Sequence, residues 1–387
     1  LQDIEVHLEK VLDPPPALPS GPPLGVEQIE KALTSLGYVC NQYHLHAQAI
    51  ACHRLALRYA PGLALAHWNL GLSLLMEDAT WQAGWEEYEW RWHWPECPER
   101  PRHLPVPLWR GEDLHGKRLM AWTEQGFGDA IQFVALLPRL QALGAELVLE
   151  TTVPLRRLFA QSFPEISIID RPDHPDQINT DIAVDYAVPL MSLPHRLQLQ
   201  PQDRPLATGY LHPAPEDQAF WAQRLQSAES TRPRVGLVWA GHSHNWGFDN
   251  ARVLLQHPGI HWVSLQLGPE QQQLAAAHLP GVEDLSGDLR DFADTAAVLA
   301  QLDLVISIDS AVAHLAGALH RPVWVLTHCK PNWRWPGTGR DCPWYPTARL
   351  FRRPLAGGWE ALLPPLQKAI RRWQKNFVRS DQESGSA

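Results

Sequence analysis

The sequence predicts an α/β protein in which two consecutive doubly wound parallel sheets follow a small all-α domain. Three observations carry that expectation. Residues Asp303 to Leu326 read strand, tight turn, helix, turn, strand, a complete βαβ unit with its polar residues gathered at one end. A second strand, turn and helix run from Leu119 to Leu143 around the glycines at 126 and 128. Ahead of both, small residues recur at an offset of 34 positions, the period of a two-helix repeat.

Taken in chain order, residues 1–25 form an N-terminal segment that ends in a proline-rich linker at 14–23. Residues 26–100 carry the repeat: Leu36-Gly37 recurs as Leu70-Gly71, Ala49 as Ala83, and Pro61 closes the first unit. Small residues at these points let two antiparallel helices approach closely, which is the tetratricopeptide pattern. Only two units are visible, fewer than the three or so such arrays need, so the pair is expected to lean on the next domain or to continue an array. An ordinary helical hairpin is the plainer alternative. A second proline-rich break spans 95–107. Strands are then expected at Arg118–Thr123, Glu146–Thr151, Ile166–Asp170 and Ile182–Val188, giving a first α/β domain over 101–228. The polar, helical stretch Pro215–Thr231 is the expected hinge. A second α/β domain over 229–377 has strands at Val235–Ala240, Trp262–Leu267, Leu304–Ile308, Val323–Leu326 and Ala348–Phe351. The amphipathic helix Trp359–Phe377 closes it, and 378–387 reads as a disordered, solvated tail.

Composition narrows the partners. A formal charge of −9 argues against nucleic acid and anionic membranes. No run approaches the ~20 apolar residues of a membrane span. The opening Leu1-Gln-Asp-Ile-Glu5 carries acid where a secretory signal carries base, and it lacks Met, so an upstream piece is expected. Five cysteines form no C-x-x-C pair and read as reduced thiols of a cytoplasmic protein.

The two turns hold the chemistry. Leu304–Ile308 is short, apolar and β-branched, as in a strand buried on both faces. Asp309 and Ser310 then cap a helix over Ala311–Leu319, so Asp309, Ser310, Ala311 and Val312 sit at the carboxyl end of a parallel strand. Outward-pointing N–H groups make that place an anion site. A plain capped helix is the alternative. His314, one turn on, faces the same way as Ser310 and either donates to a phosphate oxygen or is a buried, satisfied histidine. In the upstream turn, Gly126 and Gly128 let the backbone bend and approach a ligand. Ile131 stands where a dinucleotide fingerprint has its third glycine, and the Gly-Lys-Ser/Thr of a P-loop is missing.

Both turns resemble motifs of a known family. Gly126-Phe-Gly-Asp129-Ala-Ile-Gln132 with Leu137-Pro138, and Asp309 through Ala318, are similar to two motifs of the heptosyltransferases, glycosyltransferase family 9. The blocks 85–92, Leu108-Trp109, 235–241, 291–295 and 343–349 resemble bacterial tetratricopeptide-linked glycosyltransferases, relatives of the O-linked N-acetylglucosamine transferases. The match spans about residues 30 to 375. It implies a GT-B-like pair of Rossmann-like domains behind a tetratricopeptide-like domain, with the sugar nucleotide held mainly by the C-terminal one. The implied activity is inverting, metal-independent transfer from a nucleotide-diphosphate sugar to a hydroxyl acceptor, with no cofactor. The chain has no Asp-x-Asp, the pair that holds a divalent cation against diphosphate in metal-dependent transferases. Helical repeats bind extended peptides, so a protein acceptor is expected, with a saccharide or lipid-linked acceptor as competitor.

By the same resemblance Asp129 is the general base, although a helix N-cap carboxylate fits that position equally. The loop from Gly241 to Arg252 is where the family carries a basic residue against diphosphate. Here it offers His242, His244 and Arg252, so either these substitute or donor use is impaired. The His-x-His spacing has no further Cys/His cluster beside it, so no zinc site is expected. Gln266 reads the nucleotide base edge or is a structural amide. Lys330, Trp333, Arg334 and Trp335 either stack on and neutralise the donor or are ordinary loop packing. Asp294 and Thr295 are expected to cap a helix. A non-catalytic scaffold with a degenerate donor site is the rival reading.

Overall fold

The computed structural model describes residues 25–97, 102–172, 174, 176–177, 183–225, 232–241, 245–330, 332–335 and 339–384, with side chains as far as 377. Residues 1–24, with the whole of the expected proline linker at 14–23, and the histidines at 242 and 244 lie outside the described residues. The chain forms two compact units: one gathers residues up to Arg102 with Pro194–Asp203 and Lys330–Thr338, and the other holds the remainder.

In the first unit four helices follow one another: α1 (Val26–Gln42), α2 (His46–Tyr59), α3 (Ala64–Leu74) and α4 (Trp81–Tyr88). The recurring glycines, Gly37 and Gly71, sit at close contacts between helices. A Cβ on Gly37 would stand 2.5 Å from the His53 ring, so α1 and α2 can touch only there through glycine. Ala49 is buried, but its expected counterpart Ala83 is exposed. Gly84 takes that place instead, 2.8 Å from Leu75 if given a Cβ. The slip has a simple cause: α4 starts at Trp81, 35 residues after His46, because the 3₁₀ turn Asp78–Thr80 lengthens the connection. Trp81, Trp85 and Tyr88 fill the core of this unit. The inserted segments dock on the same face of chemistry: Gln82 Nε2 donates to the Leu199 carbonyl (2.5 Å), and Trp333 meets Trp85 edge-on at 5.2 Å.

The second unit contains two parallel sheets. The first has strand order β3-β2-β1-β4, with β1 Arg118–Trp122, β2 Glu146–Thr151, β3 Ser167–Asp170 and β4 Tyr186–Pro189. The second has order β10-β9-β8-β5-β6-β7, with β5 Arg234–Val238, β6 His261–Ser264, β7 Val282–Asp284, β8 Leu304–Ile308, β9 Val323–Thr327 and β10 Ala348–Arg352. Every expected strand is present, and β7, a short and partly exposed edge, is added. The single helix expected over 130–143 is instead α5 (Phe127–Phe133), a 3₁₀ turn, and α6 (Leu137–Ala142), because Pro138 cannot donate into a continuous helix. The remaining helices that matter below are α7 (Val153–Ser162), α8 (Pro215–Arg224), α9 (Phe248–Leu255), α10 (Gln271–Ala277), α11 (Phe292–Ala300), α12 (Ala311–Ala318) and α13 (Leu363–Ser384). Helix α13 runs through the expected tail because no Gly or Pro interrupts it before Gly385.

Strand order positions the site. In each sheet the chain builds outward on one side and then returns to the other, reversing between β1 and β4 in the first sheet and between β5 and β8 in the second. Ligands of open parallel sheets bind in the crevice outside the carboxyl ends of strands at such reversals. The two turns singled out by sequence are the carboxyl ends of β1 and β8.

Candidate functional site

The turn after β1 is a bent, capped helix start. Gln125 takes a left-handed conformation (φ 61°), and Gly126 then serves as N-cap of α5. The Asp129 carboxylate reaches back and accepts the Gly126 N–H through Oδ2 at 3.0 Å. Asp129 thus caps the helix start from its third position and is not itself the N-cap. Glu124, almost fully buried, accepts the Met191 N–H at 3.1 Å and ties the end of β1 to the segment after β4.

The turn after β8 differs from the expected cap. Ser310 is the N-cap of α12, yet its hydroxyl makes no capping bond. It pairs with the Ser307 hydroxyl at 2.8 Å, and Ser307 donates to the Ile308 carbonyl at 2.8 Å. Among the described residues no side chain covers the N–H groups of Ala311 and Val312. His314 is buried, its Nδ1 bonded to the Tyr345 hydroxyl at 2.9 Å. Its Nε2 stands 3.9 Å from Asp309 Oδ1, too far for a direct hydrogen bond. The Tyr210 hydroxyl donates to the Ile131 carbonyl at 2.9 Å, and burial pushes its pKa above the usual phenol range.

The two turns meet. A Cβ on Gly128 would lie 2.7 Å from His314 Cδ2, closer than real Cβ atoms come to any atom. The glycine expected to admit a ligand therefore also admits the second helix start. His314 of α12 is in this way brought against Gly128 of α5, and the two helices pack on each other.

Other expected members fall elsewhere. Gln266 is 2% exposed and all four of its hydrogen-bonding positions are engaged. It accepts from Trp239 and Ala240 N–H at 3.0 and 2.9 Å, and donates to the Ala240 and Leu267 carbonyls at 3.0 and 2.8 Å. No capacity is left to read a base edge, so the structural-amide alternative holds. Gly241 is exposed at the end of β5. Arg252 projects from α9 with half its side chain in solvent, 3.9 Å from Asp249. Lys330 and Arg334 belong to the first unit, where the Arg334 guanidinium lies 3.9 Å from the Trp333 ring centre. Trp333 and Trp335 are buried there, as the loop-packing alternative has them.

Sequence reasoning missed an ion-pair web. Arg157 of α7 donates to both oxygens of Asp217 (2.8 and 2.7 Å), both of Asp291 (2.8 and 2.7 Å) and one of Asp294 (2.6 Å). Arg290 adds two bonds of 2.7 Å to Asp294. Asp291, not Asp294, caps α11, accepting from the N–H groups of Ala293 and Asp294. Burial alone would raise the Asp294 pKa, but Arg290 and Arg157 together hold it far below the carboxylate range. The hydrogen bonds of Asp291 above all raise that of Arg157. The only sequence trace of this web is the Asp291-x-x-Asp294 spacing; its cation lies 134 residues upstream.

Among the described residues no group of three or more His, Cys, Asp or Glu is placed to hold a metal ion. None of the described helices is long and apolar enough to cross a membrane.

Two open parallel sheets with helix starts at their reversals define a doubly wound α/β protein. Comparison narrows it: residues 229–341, which include β5 to β9 and the turn at 309–314, match the model of glycosyltransferase family 9 (heptosyltransferase). Protein FlbA of Caulobacter vibrioides (strain ATCC 19089 / CIP 103742 / CB 15) is 33% identical over 319 residues, 74% of this chain and 52% of that protein. The chain thus spans about half the length of the curated relative it matches. Among solved structures, E. coli ADP-heptose lps heptosyltransferase II aligns over 68% of this chain and 99% of that one, with 15% identity and a TM-score of 0.47. An O-GlcNAc transferase mutant of Thermobaculum terrenum aligns over 92% of this chain and 88% of that one, with 14% identity and a TM-score of 0.32.

Proposed function

We propose that the chain is an inverting glycosyltransferase that moves a sugar from a nucleotide-diphosphate donor to a hydroxyl acceptor without a metal ion. One observation carries this reading: two helix starts, each at the reversal point of its own sheet, touch through Gly128 and His314. The family match over 229–341 supports it. In the proposed step the acceptor oxygen attacks the anomeric carbon as the bond from that carbon to the diphosphate oxygen breaks. Asp129 takes the hydroxyl proton. A carboxylate has about four lone-pair sites, so capping Gly126 and acting as base are compatible. The leaving diphosphate takes up the negative charge at the N–H groups of Ala311 and Val312, where the α12 dipole is positive. The helices of the first unit would present a peptide acceptor.

The scaffold reading has its own support: Gln266 is fully engaged, and Arg252 points into solvent beside Asp249. A thermal-shift screen of UDP, GDP, ADP and dTDP, followed by transfer from the matching labelled donor, separates the two. The glycosyltransferase reading expects one diphosphate to raise Tm. It also expects turnover that survives EDTA and falls about 100- to 10,000-fold in Asp129→Asn. Unchanged turnover in that variant removes the base assignment, and a flat screen leaves the scaffold.

A further inference from the structure

We propose that the cavity between edge strand β10 and helix α13 is a second anion site, taking a compact ligand that carries two or more phosphate charges. The cavity has a volume of about 430 Å³, and Arg340, Arg349, Arg352, Lys368 and Arg372 line it without a single carboxylate. That volume is within the range of small-molecule sites. The concentration of cations runs against the chain's own balance, since its net charge is −9.

The contrast with Arg157 is instructive. Where an arginine serves the fold, three aspartates saturate it. At this cavity two of the guanidinium groups, those of Arg349 and Arg352, touch neutral groups. Arg349 stands 5.5 Å from the Trp324 ring centre and 4.8 Å from that of Phe351. Arg352 donates to Thr327 Oγ1 at 3.1 Å. Burial lowers the pKa of Arg349 first, and the like charges of Arg340 and Arg372 lower it further. Burial does the same to Arg352. Like charges held together in a partly desolvated space repel, and an anion with several charges removes that repulsion. Planar guanidinium forks fit phosphate oxygens in pairs, which selects phosphate over a singly charged anion. A soluble phosphoester and a lipid headgroup share this chemistry; the cavity's small-molecule size favours the soluble source.

The test uses the full chain and inorganic pyrophosphate, read by hydrogen exchange so that binding is localised. Protection is expected in peptides covering 339–352 and 362–372, apart from any change at 309–318. Arg340 and Arg372 are exposed on the rim, so Arg340→Ala/Arg372→Ala should leave the fold intact while weakening that protection's apparent affinity about 10- to 100-fold. Arg349→Lys, which keeps the charge and loses the fork, should weaken it about tenfold. No protection at these peptides, or equal affinity in the double variant, overturns the proposal. So does binding seen only with phosphatidylglycerol vesicles and not with pyrophosphate, which would assign the lipid source.

Discussion

At the scale of single residues, the glycines of the first turn divide into one that is needed and one that is convenient. Gly126 has an extended backbone (φ −90°), and a Cβ there would sit 3.3 Å from the side chain of Asp129, its own capping partner. Gly128 has no such freedom, because the His314 ring fills the space and is fixed by its bond to Tyr345. Gly128→Ala should therefore destabilise the protein by about 1–3 kcal/mol, as overpacking does, despite a gain of up to about 1 kcal/mol in helix propensity. Gly126→Ala should stay within about 1 kcal/mol of wild type. Denaturant unfolding of both variants measures the difference; equal midpoints would mean the two turns do not press on each other. Asp129 was legible as cap or base because its partner is three residues away. Gln266 and Trp333 were not, because what engages them comes from segments that only the fold brings near. A satisfied amide and a waiting one are identical in sequence.

At the scale of elements, the strands were readable for a physical reason. A parallel strand covered on both faces must be a short apolar run, and Leu304–Ile308, Val323–Thr327 and Arg234–Val238 are such runs. Strand β7 escapes because its three residues are partly exposed and alternate with nothing. The helices of the first unit were readable in spacing but not in register, since one extra residue before α4 moved the buried small residue from Ala83 to Gly84. The first helix pair also carries a titration that period alone could not reveal. His53 is wholly buried against Gly37, neither ring nitrogen has a partner among the described residues, and burial pulls its pKa down to about 4. The unfolded chain binds this proton near pH 6.5, whereas the folded one resists until about 4. Stability is therefore complete above about pH 6.5 and is lost progressively as pH falls toward 4, by up to roughly 3 kcal/mol. Hydrogen exchange of α1 and α2 peptides in the full chain at pH 7.5 and 5, corrected for intrinsic rates, should show lower protection at pH 5. His53→Leu should flatten that dependence. A wild-type profile as flat as the variant's would mean the histidine is not held neutral.

At the scale of the whole second unit, the order of the two sheets was legible, but what fastens one to the other was not. Arg157 comes from the helix that follows β2, Asp217 from α8 between the sheets, and Asp291 and Asp294 from the start of α11 in the second sheet's layer. Three segments are thus joined through one guanidinium. Removing it leaves three carboxylates facing each other, with Asp294 fully shielded from solvent and Arg290 its remaining cation among the residues of the web. Breaking a buried pair costs about 3–5 kcal/mol, but Arg157 is 31% exposed, so screening reduces the expected loss in Arg157→Ala to about 2–3 kcal/mol. Arg157→Lys keeps one charge without the fork and should fall between. The pH sign follows from Asp294, whose folded pKa is depressed. Its contribution is complete above the unfolded value near 4 and disappears as pH falls through the lower folded value. Wild type should thus lose stability steeply below about pH 4, and Arg157→Ala, having already lost much of the web, should lose less. If the variant unfolds at the wild-type midpoint at pH 7, the web is decoration and the two sheets are joined by packing alone. If instead stability falls while diphosphate binding per folded molecule persists, Arg157 holds the sheets in register without touching the ligand, which separates the fastening from the chemistry proposed for Asp129.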